Sequence, residues 1–298
     1  MKKVVRCKTL LGHENLDFSI ECLRSFINKS YDVIHLEIFE DGSITEQDAE
    51  KLTALLPNSS VIYRSQREQI IAEKLAWYPN CLYIRNLPIV FPIKLFDTIL
   101  YDNQDFWYID SDIFFIRNFK LPEGRDEPIF MKDTWNSYAF SIYDFIKIKY
   151  PIYPKINAGV IYFPTKSFDL NFLENVLNDH LIAKNREHFL MEQTLWAFLF
   201  GQSKTVNYLD PLQVMMGKKH IKLNHETIAV HLVYSYRDQL KNIKKFRIED
   251  ADENRYEPIR LLKAPVHLSK ISYAVNRVSK KIYWYLSRME IIDKLVYK

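Results

Sequence analysis

The chain has 298 residues, 48% hydrophobic and 26% charged, values that suit one large α/β domain or one domain with a small appendage. Its three cysteines (Cys7, Cys22, Cys81) are widely spaced, which argues against a disulfide framework or a zinc site and fits a reducing compartment. The net charge of +4 is uneven: residues 259–298 hold nine Lys/Arg against two Asp/Glu, on a slightly acidic body. Such a tail suits an anionic surface.

The start, Met-Lys-Lys-Val-Val-Arg-Cys, lacks the apolar stretch of a signal peptide, and no apolar run reaches the roughly 18 residues of a spanning helix. Cytoplasmic residence is the expectation. In chain order, residues 3–11 read as a strand and 15–28 as a helix with Leu16, Ile20, Leu23 and Ile27 on one face. A second strand at 33–39 ends in the turn Asp41-Gly42-Ser43, and Thr45 opens the next helix. Residues 61–63 form a short third strand, and this βαβα order predicts a parallel sheet. Ligands of such sheets sit at the carboxyl ends of the strands. A helix over 92–101 has Pro92 in its first turn. A strand at 106–109 stops at Asp110-Ser111-Asp112, and 113–116 continue extended. A strand at 159–163, a helix at 187–200 and a strand at 228–233 follow, and from about 258 one or two basic helices are expected. With only six glycines, no phosphate-cradling loop of the Walker or dinucleotide type is present.

Asp110 and Asp112 follow four apolar residues, so a buried strand delivers both to the sheet edge. In an extended segment residues i and i+2 share a face, and two neighbouring carboxylates repel until a cation relieves them. Oxygen ligands suit Mg²⁺ or Mn²⁺, completed by substrate phosphate.

This strand followed by Asp-x-Asp resembles the pattern of nucleotide-sugar glycosyltransferases of the GT-A fold. Three further segments agree in order. His35–Ser43 looks like the second strand whose Asp-Gly-Ser turn meets the nucleotide. Ile156-Asn157-Ala158-Gly159-Val160 is similar to the Asn-Ala-Gly-Val segment of the family 8 retaining transferases, of bacterial lipopolysaccharide or capsule type. Glu192-Gln193 resembles that family's Asp-Gln pair. Pro92–Asp97 is similar to the helix that supplies donor contacts there.

The resemblance spans roughly residues 5–235. It implies an α/β GT-A (Rossmann-like) domain over 1–257, with a mixed, mostly parallel sheet flanked by helices, and a basic helical tail over 258–298. The implied activity is metal-dependent transfer of a hexose, with retention, from a UDP-type donor to a hydroxyl of a glycan or lipid-linked acceptor. Asp110, Asp112 and His231 would hold the cation, with His220 and His225 as rivals to His231. Donor contacts would come from Leu10, Gly12, Asp41, Lys94, Asp97, Ser111, Asn157, Ala158, Gly159 and Lys218. Glu192, Gln193 and Asp133 would be the catalytic residues, and Trp135 would line the acceptor groove. No nucleic-acid partner is expected.

Two departures stand out. The family's His-x-x-Gly-x-x-Lys-Pro-Trp segment is reduced here to Ala229-Val230-His231-Leu232-Val233-Tyr234, and its Asp-Gln pair is Glu-Gln. The alternatives are an inverting GT-A transferase and a non-catalytic nucleotide-sugar or carbohydrate-binding protein. A phosphatase with Asp-x-Asp needs Thr or Val where Phe114 stands, and a nucleotidyltransferase needs a Gly-rich loop that residues 8–17 do not supply. In the tail, Ile271, Val275, Val278, Ile282, Leu286, Met289, Ile292 and Val296 recur at helical spacing among Lys, Arg, Trp284 and Tyr residues. That pattern suits a helix lying on anionic lipid, hence peripheral contact through residues 271–298.

Overall fold

The structure is a computed structural model that describes residues 2–123, 126–218, 221–245, 255–264 and 267–288. Its first half alternates strand and helix: β1 (Val4–Leu11), α1 (Leu16–Lys29), β2 (Val33–Glu40), α2 (Glu46–Leu55), β3 (Ser59–Ile62). Then come α3 (Arg64–Leu75), α4 (Pro79–Arg85), α5 (Phe91–Leu100), β4 (Phe106–Ile109), β5 (Ile113–Phe115), β6 (Phe119–Lys120), β7 (Ile129–Lys132) and α6 (Ile142–Lys147). The second half holds β8 (Ile156–Phe163), α7 (Leu170–Asn178), α8 (His180–Ala183), α9 (Met191–Gly201), β9 (Asn207–Leu209), β10 (Val214–Met216) and β11 (Ala229–His231). It closes with α10 (Leu240–Lys244), β12 (Glu257–Pro258), β13 (Leu261–Lys263) and α11 (Lys270–Arg288).

The main sheet runs β13-β9-β7-β8-β4-β1-β2-β3. β3, β2, β1 and β4 are mutually parallel, β8 is antiparallel to both β4 and β7, and β9 is parallel to β7. The sheet is therefore mixed, as expected, and the carboxyl ends of β1, β2, β4, β7 and β9 share one rim with the amino end of β8. Alternation along β4 explains its burial on both faces: Phe106 and Tyr108 enter one apolar layer, Trp107 and Ile109 the other. β8 is buried at all eight positions, as befits a strand covered on both faces.

Helices form where periodicity and caps agree. α1 buries Leu16, Ile20, Leu23 and Phe26 against the sheet. The Thr45 hydroxyl accepts the Asp48 N–H and the Asp48 carboxylate accepts the Thr45 N–H, a reciprocal cap that starts α2. On the other face α5 and α9 pack together; α9 is buried along nearly its whole length, which makes it a core helix.

The main corrections concern the second half. The helix expected at 187–200 begins at Met191. A helix is expected from about residue 258, but Glu257–Pro258 and Leu261–Lys263 form two strands instead: β12 pairs with β6 and β13 with β9. Only at Lys270 does the helix begin. One face of α11 lies on the body, where buried Tyr273 stacks on Phe145 at 4.0 Å and its hydroxyl donates to the Phe140 carbonyl at 2.7 Å. Ile271, Val275, Val278 and Ile282 point to solvent. Met289, Ile292 and Val296 lie outside the described residues.

Candidate active site

β4 ends at Ile109, and the chain leaves the sheet in a turn: the Asp110 N–H donates to the Gly159 carbonyl at 2.7 Å, and the Ile113 N–H to the Asp110 carbonyl at 3.3 Å. The two carboxylates thus converge through a turn rather than through the strand pleat assumed from their spacing. β5 then pairs antiparallel with β11, with His231 opposite Ile113, and the Leu232 N–H donates to the Asp112 carbonyl at 2.8 Å. This register delivers the imidazole to the acidic pair.

His231 Nε2 lies 2.9 Å from Asp112 Oδ1 and 3.7 Å from Asp110 Oδ2. One ligand atom from each of the three residues falls within 4.8 Å of the others. Asp112 Oδ1 is buried yet, among the described residues, has no hydrogen bond of acceptable geometry, so the close His231 nitrogen faces it out of line. An oxygen–oxygen–nitrogen set of this kind, with an under-used buried oxygen, fits a divalent cation. The other ring nitrogen, Nδ1, is 3.2 Å from Asn157 Oδ1, which also accepts the Gly159 N–H at 2.8 Å. That outer partner sets the ring's orientation. A Cβ on Gly159 would come within 2.7 Å of the His231 ring, so glycine is required for this approach. Of the rival histidines, His225 is exposed beside Glu226, and His220 lies outside the described residues.

Charge around the cluster is arranged in layers. Lys94 Nζ on α5 donates to Asp110 Oδ1 at 2.8 Å, stands 3.9 Å from Glu192 and lies 4.5 Å over the Tyr108 ring. Burial would lower its pKa, but Asp110 and Glu192 hold it above the ordinary lysine value. Burial, against the opposing pull of Lys94, pushes the Glu192 carboxyl up to about 7, and Asp110 adds to the rise. Glu192 Oε1 accepts the Trp196 indole N–H at 2.6 Å, so it faces inward. For Asp112, burial would raise the pKa, but His231 and Arg237 hold it below the ordinary carboxylate value. His231 is buried too, yet Asp112 and Asp110 raise its pKa.

The remaining positions separate into three groups. Leu10, Gly12 and Asp41 sit at the carboxyl ends of β1 and β2. The Leu10 N–H donates to the Tyr108 hydroxyl at 3.1 Å, and Asp41 Oδ1 accepts the Ser43 N–H at 2.9 Å. A Cβ on Gly12 would meet Asp41 Oδ2 at 2.3 Å, so that carboxylate lies directly over the strand end. Ser111 hydrogen-bonds Ser19 at 3.4 Å, Ala158 is buried in β8, and exposed Lys218 follows Gly217, whose N–H donates to the His231 carbonyl at 2.8 Å. Gln193 donates to the Ser137 carbonyl at 2.9 Å, beside half-buried Asp133, whose carboxyl burial pushes upward.

Asp97 is a correction. Its carboxylate is fully buried and taken up by Arg67 Nε at 2.7 Å and by Arg85 Nε and Nη2 at 3.1 and 3.0 Å. It cannot also hold a sugar hydroxyl.

The site also contains a residue the sequence reading passed over. Arg237 lies in a 3₁₀ turn (Tyr234–Gln239), with a terminal nitrogen 3.9 Å from Asp112 Oδ2 and a buried Nε that has no hydrogen-bond partner among the described residues. The available signal was its place six residues after His231, the spacing of the lysine in the His-x-x-Gly-x-x-Lys pattern.

The mixed sheet, with Asp-x-Asp beyond β4 and the Asn-Ala-Gly-Val strand antiparallel beside it, has the GT-A fold expected from the sequence. No family model and no curated protein sequence matches the chain. Solved structures do. An active-site mutant of LgtC is similar over 83% of this chain and 98% of that one, at 13% identity and a TM-score of 0.50. The galactosyltransferase LgtC with donor and acceptor sugar analogues gives the same coverage and identity, with a TM-score of 0.49. The bifunctional glycosyltransferase WbbM matches over 82% of this chain at 13% identity and a TM-score of 0.46; the aligned region spans half of WbbM's length.

Proposed function

We propose that the protein transfers a hexose from a UDP-type donor to a hydroxyl of a glycan or lipid-linked acceptor, with Mn²⁺ or Mg²⁺ at Asp110, Asp112 and His231. The observation that carries this reading is the convergence of those three ligands on the strand-end rim, with two cationic side chains at their border. A divalent cation held there supplies Lewis-acid stabilisation of the departing diphosphate. Lys94 holds Asp110 in place, and Arg237, with an unused buried donor, takes a phosphate oxygen as charge develops. Leu10, Gly12 and Asp41 face the nucleoside, and Asn157 the donor sugar.

Retention is the favoured course. Glu192 is turned inward to Trp196 and Lys94, so it steadies charge rather than attacking the anomeric carbon. Gln193 and the leaving phosphate then border the reacting face. One observation favours inversion: the raised pKa of Asp133 beside Gln193 suits a general base on the acceptor side. The test is a screen of UDP-sugars for Mn²⁺-dependent hydrolysis, followed by the anomeric configuration of the product. Retention of the donor's α configuration upholds the first course, and a β product upholds Asp133 as base. No cation-dependent turnover of any nucleotide sugar would reject the enzymatic reading.

The basic helix α11 adds a membrane surface to the proposal. Its exposed Ile271, Val275, Val278 and Ile282 stand with Trp284, Tyr283 and Tyr285, an interfacial set for anionic lipid. Among the described residues no helix is long and apolar enough to cross a bilayer. Replacing the four aliphatic residues by Ser should abolish binding to phosphatidylglycerol vesicles and leave donor hydrolysis intact. Undiminished vesicle binding would remove this element.

A further inference from the structure

A cleft of about 830 Å³ opens between α11 and the edge of the main sheet, lined by Lys132, Trp135, Lys155, Tyr208, Asn276 and Ser279 among others. Strand directions place it on the same rim as the cation cluster. β8 begins at this rim with Ile156 and Asn157, and β7 ends there with Lys132 opposite Ile156. β9 follows, parallel to β7. Neighbouring strands are about 4.8 Å apart, so the cleft starts roughly one strand from Asn157 and extends over a second. That offset is on the order of one or two sugar rings.

The segment 133–137 is the wall shared by the two sites. On the catalytic side Gln193 donates to the Ser137 carbonyl, and Lys280 Nζ donates to the Ser137 hydroxyl at 2.9 Å. On the cleft side stand Trp135, which accompanies Tyr283 with ring centroids 5.7 Å apart, and Asn136, whose N–H donates to Asn276 Oδ1 on α11 at 2.7 Å. α11 is thereby a wall of the cleft as well as a surface helix.

The charge in the cleft is unbalanced. Lys132 Nζ lies 4.3 Å over the Tyr208 ring and donates to its hydroxyl at 3.2 Å. Lys155 is held at a left-handed φ of 56°, with its N–H donating to Asn136 Oδ1 at 2.8 Å. Burial first, and then repulsion from Lys132, lower the pKa of Lys155, with Asp133 the acidic group opposing them. Asp133 is itself engaged by the Trp135 N–H at 3.0 Å and faces Lys280. Among the described residues neither Lys132 nor Lys155 has a carboxylate ion-pair partner. Two half-buried ammonium groups with no carboxylate at ion-pair distance among the described residues, next to a tryptophan, suit a doubly charged oxyanion on a sugar.

We propose that this cleft seats the acceptor, and that the acceptor carries a phosphate one or two sugar units from the hydroxyl that is glycosylated. The inference rests on the transferase reading. Lys132 and Lys155 hold the phosphate, and Trp135 stacks on the sugar between it and Gln193.

The experiment needs neither donor nor cation. Glucose 6-phosphate, glucose and octyl phosphate are titrated into the full chain by calorimetry, and into K132A/K155A and the charge-preserving K132R/K155R. A phosphate probe should bind at least tenfold tighter than glucose, lose at least tenfold in the alanine pair and keep most of its affinity in the arginine pair. Stronger binding of glucose 6-phosphate identifies a phosphosugar within a glycan, and stronger binding of octyl phosphate a lipid-linked phosphate; both uphold the site. Equal binding of glucose and its phosphate, or phosphate binding unchanged in the alanine pair, overturns it. UDP binding with Mn²⁺ should be the same in all three proteins, so failure of that control in the native chain counts against the transferase reading instead.

Discussion

Two clusters of buried charge share helix α5 and are built to opposite designs. Around Asp97 every carboxylate oxygen is met: Arg67 and Arg85 bracket it, and Glu68 takes up the rest of the Arg85 guanidinium. Three residues earlier, Lys94 reaches the other cluster, where Asp110, Asp112 and Glu192 meet Lys94, His231 and Arg237 and, among the described residues, a buried Asp112 oxygen lacks a hydrogen bond. The first cluster is closed and holds α3, α4 and α5 together. The second is left open at a strand rim, where a cation and a phosphate can complete it. A buried set with every oxygen met is architecture, and one left with unmet polar atoms at a rim is a place for a ligand.

Breaking the closed cluster should have the largest effect on stability. Asp97→Asn leaves two buried guanidinium groups short of charge, a loss of about 3–5 kcal/mol, which lowers Tm by roughly 5–8 °C for a chain of this size. Mn²⁺ affinity of the folded fraction should not change. Asp112→Asn should act mainly on activity: cation-dependent donor hydrolysis falls about 100-fold or more, with a smaller drop in Tm than Asp97→Asn, because His231 and Arg237 lose the carboxylate they stabilise. Thermal melts and initial rates on both variants decide the contrast, and equal thermal losses would erase it.

Glu192 sharpens the comparison through pH. Its folded pKa of about 7 lies above the ordinary glutamate value, so the folded state binds the proton more tightly than the unfolded chain. Stability is therefore greatest below the ordinary glutamate range and falls as pH rises through about 7, by on the order of 3 kcal/mol. Denaturant melts at pH 5 and pH 8 should show this decline in the native chain and a flatter profile in Glu192→Gln. A smaller effect is expected at Gly159. A Cβ there presses on the His231 ring, so Gly159→Ala should weaken Mn²⁺ binding about tenfold while metal-free UDP binding persists.

The sequence made the acidic pair legible because a four-residue apolar run must end where a buried strand ends. Asn157 and Gly159 stand out through the resemblance of Asn157-Ala158-Gly159-Val160 to a family segment, at the start of a strand expected at 159–163, and the structure extends that strand back to Ile156. Spacing failed at Asp97. Helical geometry places it near Lys94, but its partners Arg67 and Arg85 arrive from other helices, and only tertiary packing brings them. Arg237 escaped notice because its turn meets Asp112 through the β5–β11 pairing, a contact between segments far apart in the chain. Residues 258–263 failed for a related cause: isolated from their partners they read as part of a basic helix, whereas pairing with β6 and β9 makes them strands.

The central claim is that Asp110, Asp112 and His231 bind one divalent cation that joins the protein to a nucleoside diphosphate. Calorimetric titration of UDP into the native chain, with and without Mn²⁺, and into D110N/D112N tests it most directly. The account predicts one UDP bound per chain, at least tenfold more tightly with Mn²⁺, and no Mn²⁺ effect in the double variant. UDP affinity indifferent to Mn²⁺ in the native chain, or an equal Mn²⁺ effect in the variant, would contradict it.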